Sequence, residues 1–388
     1  MFSIENFYYI LHQHLLKPTG IHDVMYSKFG STDVNDLRCG LYLPFRVTYG
    51  YPILKHAVCY FFDQEPVNVQ SMHDCSFTAS LVHFKMLANS EHSELKKHML
   101  KENQYQDWYY FFHGFAALDW YRDGQYFDQH IDWTRPYITL NRLHTNDRSY
   151  RLNLVARLAE HQVLSHGHVS LHLDHDEHGS WQQELNDPET RLSAEACGLI
   201  RKNLSNALTL DRTNTTGSLS ADFGHQEFEL WKSGLWHIVT ETVFYHDKLH
   251  LTEKIFKPIV AQRPFMLAAA PGNLAYLKSY GFQTFDQWID ESYDLIQDPD
   301  QRLQAIVDQT QRLCAMSDSE LRQMHQEMQP VLEHNFNHLW SGFKRQIVDE
   351  LVDNFETAVR MWNNGRVDGK QLPLQNINLA QVKQVLLR

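Results

Sequence analysis

Long apolar runs, paired cysteines and a basic surplus are all missing from this chain, and each absence removes a class of protein. No apolar run approaches the roughly 20 residues that span a bilayer. The opening residues, Met1-Phe2-Ser3-Ile4-Glu5-Asn6, show no basic segment leading into an apolar one, so no secretory signal is read there. Cysteine is sparse and odd in number: Cys39, Cys59, Cys75, Cys197 and Cys314 are scattered, and no CxxC occurs. That usage suits free thiols in a reducing compartment better than a disulfide frame or a zinc site. A soluble cytoplasmic protein with no membrane span is therefore expected. Basic residues are outnumbered, 35 Lys and Arg against 47 Asp and Glu, for a formal net charge of −12. The acidity argues against nucleic acid as a partner, since proteins gripping a long duplex usually carry a basic surplus, although a local basic cleft remains compatible with it.

Material for globular packing is abundant. Apolar residues make up 43% and aromatics 13%, which argues against disorder. At 388 residues the chain exceeds one ordinary core, so two domains are expected. Histidine is frequent, and the densest patch, His172-Leu173-Asp174-His175-Asp176-Glu177-His178, holds residue types that ligate metals. It lies in a polar stretch continuing through Gly179-Ser180-Trp181, which reads as a solvated loop, and no metal site is assigned to it.

Short apolar runs that each stop at a polar cluster predict strands whose carboxyl ends face a cleft. In the first third these are Ala57 to Phe62, Lys85 to Ala88 and Trp108 to Phe115, preceded by an amphipathic opening from Phe7 to Leu16. Around Trp133-Thr134-Arg135-Pro136 the punctuation changes, which places a domain boundary there: 1–134, then 135–350, then a helical tail over 351–388. Tyr137 to Leu140, a loop, a helix over Arg148 to His161 and Val169 to Leu171 predict a β-α-β unit. Two further apolar runs, Trp236 to Tyr245 and Arg263 to Ala270, flank Thr252-Glu253-Lys254. Beyond Asp294 the pattern turns helical, with a capping box at Ser317-Asp318-Ser319-Glu320.

Four clusters carry candidate chemistry. Asp63-Gln64-Glu65-Pro66 sets a carboxylate after a buried strand, suited to a general base, or equally a surface turn. Arg142, Arg148 and Arg151 surround a helix start, where guanidinium groups could recognise a diphosphate bidentately or simply be solvated. Glu253 and Lys254, with Lys257 one turn on, suit a ribose hydroxyl pair and phosphate, or an ordinary exposed helix start. Asp290-Glu291-Ser292-Tyr293-Asp294 reads as a structural turn rather than a cation site.

Taken in chain order, these residues resemble a nucleotide-sugar glycosyltransferase of the GT-B architecture. The likeness is to the α1,3-fucosyltransferase-like group and to related proteins of phages and marine bacteria. It rests on Gln64-Glu65-Pro66, on Asn141-Arg142 followed by Arg151 and Leu158, and on Thr252-Glu253-Lys254. Two departures stand out: Arg142 occupies the place of a cysteine, and Gln-Glu-Pro replaces Glu-Ser-Pro, so fucose is not implied. The resemblance implies an α/β chain of two Rossmann-like domains facing across a cleft, with C-terminal helices. It implies an enzyme that transfers a sugar from a nucleotide diphosphate, possibly GDP-linked, to a glycan or small-molecule hydroxyl, inverting and without a metal. Glu65 would be the base, Arg142, Arg151, Lys254 and Lys257 would meet the diphosphate, and Glu253 the ribose. Three alternatives stay open: a non-catalytic nucleotide- or sugar-binding protein, a phage DNA-base glycosyltransferase, and a metal-dependent hydrolase built on the histidine patch.

Overall fold

The short apolar runs become strands buried on both faces, which is why they read as continuous rather than alternating hydrophobic stretches. The computed structural model describes residues 3–21, 23–26, 57–67, 84–175, 179–208, 210, 224–364 and 371–388. The protein is α/β, and the chain forms two units, Met1–Asp119 with Ser341–Arg388, and Trp120–Trp340.

In the first unit, β1 (Asp23–Tyr26), β2 (Ala57–Phe62), β3 (Phe84–Asn89) and β4 (Gln106–Tyr109) lie in the order β1-β2-β3-β4. Every pairing is parallel. Tyr60, Phe61, Met86, Leu87 and Trp108 are fully buried in this sheet. The helix Ile4–Leu11 opens at Ser3, whose side chain accepts from the Asn6 backbone N–H.

The run Trp108 to Phe115 reads as one strand in the sequence, and the structure divides it. β4 ends at Tyr109, and a helix begins at Phe112, whose N–H donates to the Ser90 hydroxyl. That helix is buried from Phe112 through Asp119, so it shows no polar face and its period cannot be told from a buried strand. A side chain at Gly114 would meet the Phe343 ring at 2.7 Å, so the glycine lets this helix approach the C-terminal segment.

The helix Lys344–Asn363 packs along β4. Trp108 Nε1 donates to the Leu351 carbonyl at 3.0 Å, and Asn354 Nδ2 donates to the Tyr109 carbonyl at 2.9 Å. The last helix, Leu379–Leu387, is tied to it by Lys383, 2.8 Å from both Asp349 and Asp353. These bonds give the C-terminal helices a place in the first unit. The units accordingly divide at 119/120 and 340/341, where the sequence reading put 134/135 and 350/351.

In the second unit, β5 (Arg135–Asn141), β6 (His168–Leu171), β7 (Gly234–Thr240) and β8 (Phe265–Ala268) pair in parallel in the order β8-β7-β5-β6. The expected β-α-β unit is present as β5, the helix Tyr150–Glu160 and β6. The order means that the chain runs outward in one direction from β5 to β6 and in the other from β7 to β8. A topological switch point therefore lies between β5 and β7, where parallel sheets leave a crevice at the carboxyl ends. Pro299–Cys314 is capped by Asp298, and Asp318–His338 starts at the expected Ser317/Glu320 capping box. Among the described residues no helix is long and apolar enough to cross a membrane.

Gly234 sets the closeness of β7 to β5, because a Cβ there would stand 2.5 Å from Ile138 Cβ and 2.9 Å from its backbone nitrogen. Gly234→Ala should cost about 1–3 kcal/mol in urea unfolding through this clash. Gly198→Ala, with nothing within 4 Å and a helical setting, should instead stabilise by up to about 1 kcal/mol. Equal effects of the two would contradict the packing described here.

Candidate functional site

The carboxyl edge of the second sheet is stitched together by three buried side chains. Asn141 ends β5; its Nδ2 donates to Thr139 Oγ1 and to the Ser170 carbonyl, each at 3.2 Å, while its Oδ1 accepts from the Thr240 hydroxyl at 3.0 Å. One amide thereby connects the ends of β5, β6 and β7. Arg151, in the first turn of the helix after β5, is 3% exposed. Its Nη1 donates to the Leu143 carbonyl at 2.7 Å, and its Nη2 to the carbonyls of Thr240 and Glu241 at 2.9 and 3.1 Å. Beside it the Tyr150 hydroxyl donates to the carbonyls of Glu241 and Ala268, at 2.6 and 3.2 Å. Burial raises that phenol to about 12, so it stays a donor at neutral pH. The Tyr150 ring stacks on Phe244 at 4.0 Å, and the Arg302 guanidinium lies 4.3 Å from the Phe244 centroid.

Glu241 follows β7 directly and has no exposed surface. Its Oε2 accepts both from the Thr252 backbone N–H, at 3.2 Å, and from the Thr252 hydroxyl, whereas its Oε1 has no hydrogen-bond partner among the described residues. Thr252 is the N-cap of the turn Glu253–Ile255. Lys254 Nζ lies 3.1 Å from Thr252 Oγ1 and 3.1 Å from Glu253 Oε1, with the lysine side chain 29% exposed and the glutamate 9%. Arg142 stands half-buried just past β5. Lys257 extends over the Trp231 ring, 5.2 Å from its centroid, while Lys254 bonds within its own turn. The structure thus brings Asn141, Arg151 and the Thr252-Glu253-Lys254 turn to one edge, and engages Lys257 with a tryptophan face.

Acids in the Asp290–Asp294 segment are taken up by the backbone, as a structural turn requires. Asp294 accepts from the Leu274 N–H, Glu291 from the Phe285 N–H and Asp290 from the Ser292 N–H. Of the histidine patch, residues 176–178 lie outside the described residues, and among the described residues no His/Cys/Asp/Glu group is disposed to hold a metal.

No protein-family model, no characterised protein and no solved structure matches this chain.

In the first unit, the loop after β2 is pinned on both sides of Glu65. Asp63, with no exposed surface, accepts from the Tyr8 hydroxyl at 3.1 and 3.0 Å and from the Tyr110 hydroxyl at 2.5 Å. Gln64 Nε2 donates to Tyr8, and His113 Nε2 donates to the Gln64 carbonyl at 3.0 Å. On the far side the Val67 N–H donates to buried Glu91 at 2.8 Å. Glu65 itself is half-buried, which makes it the solvent-accessible carboxylate of the Asp63/Glu65 pair.

Three of these groups escaped the sequence reading: Glu241, Tyr150 and Asp63 in its bracing role. The available signal for Glu241 was an acid set directly inside an apolar run, Val239-Thr240-Glu241-Thr242-Val243. A charge there needs partners, and Thr252 supplies two of them.

Burial, opposed by the tyrosine hydrogen bonds, raises the Asp63 carboxyl from 3.8 to about 6. The folded protein then holds that proton more tightly than the unfolded chain. The resulting stabilisation is complete below pH 4 and is lost as the pH climbs through 6. Asp63→Asn should flatten this part of the stability–pH curve, removing a slope worth on the order of 3 kcal/mol between pH 4 and 7. Urea unfolding at several pH values measures it; an unchanged slope in the variant would locate the titration elsewhere.

Proposed function

We propose that the protein is a glycosyltransferase that uses a nucleotide-diphosphate sugar, built on the GT-B plan of two Rossmann-like units facing across a cleft. One observation carries this reading. At the switch point of a parallel sheet, the strand ends are locked by Asn141 and Arg151, and a partly exposed ammonium, Lys254, lies in a turn anchored to the same edge. Crevices of this kind hold phosphorylated ligands, and a fixed ammonium favours the charge of a diphosphate.

The assignment of roles follows from burial. The two terminal nitrogens of Arg151 are engaged by carbonyls, so its part is to hold the edge in shape, and Lys254 with half-buried Arg142 meets the ligand. Glu253, beside Lys254, accepts from the ribose hydroxyls. Glu65, in its braced loop, removes the proton from an acceptor hydroxyl of a glycan or small molecule. The acceptor oxygen attacks the anomeric carbon as the bond to the diphosphate breaks, with inversion. Lys254 stabilises the charge that develops on the leaving group, which favours the transition state over the bound substrate. Transfer on this plan also depends on excluding water, which would otherwise hydrolyse the donor.

A melting-temperature screen against GDP, UDP, ADP, CMP and their sugars identifies the donor, and sugar transfer is then followed with the nucleotide that raises it. Glu65→Gln should abolish transfer and leave nucleotide affinity within about twofold, because a general base acts in the chemical step. Lys254→Ala should weaken nucleotide affinity by roughly tenfold or more, the usual cost of a charged hydrogen bond. Wild-type transfer rates in both variants would overturn these roles, and a protein whose melting responds to no nucleotide would overturn the reading itself.

A further inference from the structure

A hydroxyl group has one proton and two lone pairs, so whichever acceptor takes the proton decides where the lone pairs point. At Thr252 that acceptor is Glu241. The Thr252 hydroxyl donates to Glu241 Oε2, and its oxygen faces the Lys254 backbone N–H at 3.4 Å and the Lys254 ammonium at 3.1 Å. The backbone N–H of Thr252 closes on the same Glu241 oxygen at 3.2 Å, which removes rotation of the turn about the strand end. Glu253 Oε1 holds the ammonium from the other contact, again at 3.1 Å.

We infer that Glu241 is a positioning residue for the anion site: acting through Thr252, it fixes the direction in which the Lys254 ammonium is presented to a diphosphate. The inference rests on the reading of the β5/β7 crevice as a diphosphate site. Glu241 has no exposed surface and so touches no ligand itself. It nevertheless sits in a place where a buried carboxylate is costly, with one oxygen lacking a hydrogen bond among the described residues. An apolar residue there would leave the Thr252 N–H and hydroxyl without this acceptor, so what the carboxylate adds is a fixed orientation of the turn and of the Thr252 hydroxyl. A glutamine at this position either accepts as a weaker neutral carbonyl or donates through its amide. Donation would turn the hydroxyl proton toward the ammonium and push Lys254 away from its place.

Two pairs of variants test the relay, with affinities for inorganic pyrophosphate and GDP measured by calorimetry and melting temperature recorded for each protein. Glu241→Gln and Thr252→Val should each lower both affinities by about tenfold, the size expected for losing one hydrogen bond to a charged group. Thr252→Ser keeps the hydroxyl and should restore affinity to within about twofold of wild type. Because the two residues act along one route, Glu241→Gln combined with Thr252→Val should weaken binding little beyond either change alone. A lowered melting temperature with unchanged affinity in Glu241→Gln and Thr252→Val would make Glu241 purely structural and overturn the inference. Fully additive losses would also overturn it. If Glu241→Gln fails to fold, the Thr252→Val and Thr252→Ser pair decides: equal affinities in the two refute the relay. A wild-type protein that binds neither probe removes the diphosphate reading and the inference together, whereas wild-type binding without the variant effects removes the inference alone.

Discussion

Everything at the carboxyl edge of the second sheet depends on a buried guanidinium that satisfies carbonyls rather than charges. Among the described residues Arg151 bonds to no carboxylate; it binds the carbonyls of Leu143, Thr240 and Glu241. Strands that stop inside a protein leave carbonyls that the ladder no longer pairs, and leaving them unpaired in a dry interior is costly. One planar group with several donors settles three of them at once and joins the end of β7 to the loop after β5. Burial lowers the Arg151 pKa from its ordinary value, and the neighbouring Tyr150 hydroxyl adds a second donor to the Glu241 carbonyl. The arrangement of the strand end and the loop follows from that bracket.

Two carboxylates make a similar contrast. Asp63 and Glu241 both follow a buried parallel strand and both have no exposed surface. Asp63 is surrounded by tyrosine hydroxyls and fixes the loop that carries Glu65, whereas Glu241 is bonded to the N-cap of the turn that carries Lys254. In each unit the buried acid supports, and a neighbouring side chain two residues on or in the adjoining turn is the one solvent can reach.

The sheets were largely legible in the sequence because parallel strands read as uninterrupted apolar runs. Ala57 to Phe62 forms β2 with the bounds its composition suggested, and the β5-helix-β6 unit follows its periodicity closely. The same rule misread Trp108 to Phe115, since a helix buried on every side shows no period; the break shows in the bonds of the Phe112 N–H to the Ser90 hydroxyl and the Tyr110 carbonyl. Of the candidate site, chain order pointed to Glu65, Arg151 and Lys254, but spacing could not tell a ligand-facing arginine from one that brackets carbonyls. Glu241 was concealed by its apolar neighbours, and its partner Thr252 lies eleven residues away, a separation that only folding closes. The C-terminal helices show the same limit: nothing in their local pattern announces that Leu351 and Asn354 return to β4.

On the proposed reading, phosphate oxygens bind at the carboxyl ends of β5 and β7, beside Lys254. A crystal of the protein grown with GDP, or with whichever nucleoside diphosphate binds most tightly, tests it directly. The account predicts diphosphate density within hydrogen-bonding distance of Lys254 Nζ, with Arg151 still on its three carbonyls. Density for the nucleotide at any other surface, with this place empty, would contradict it.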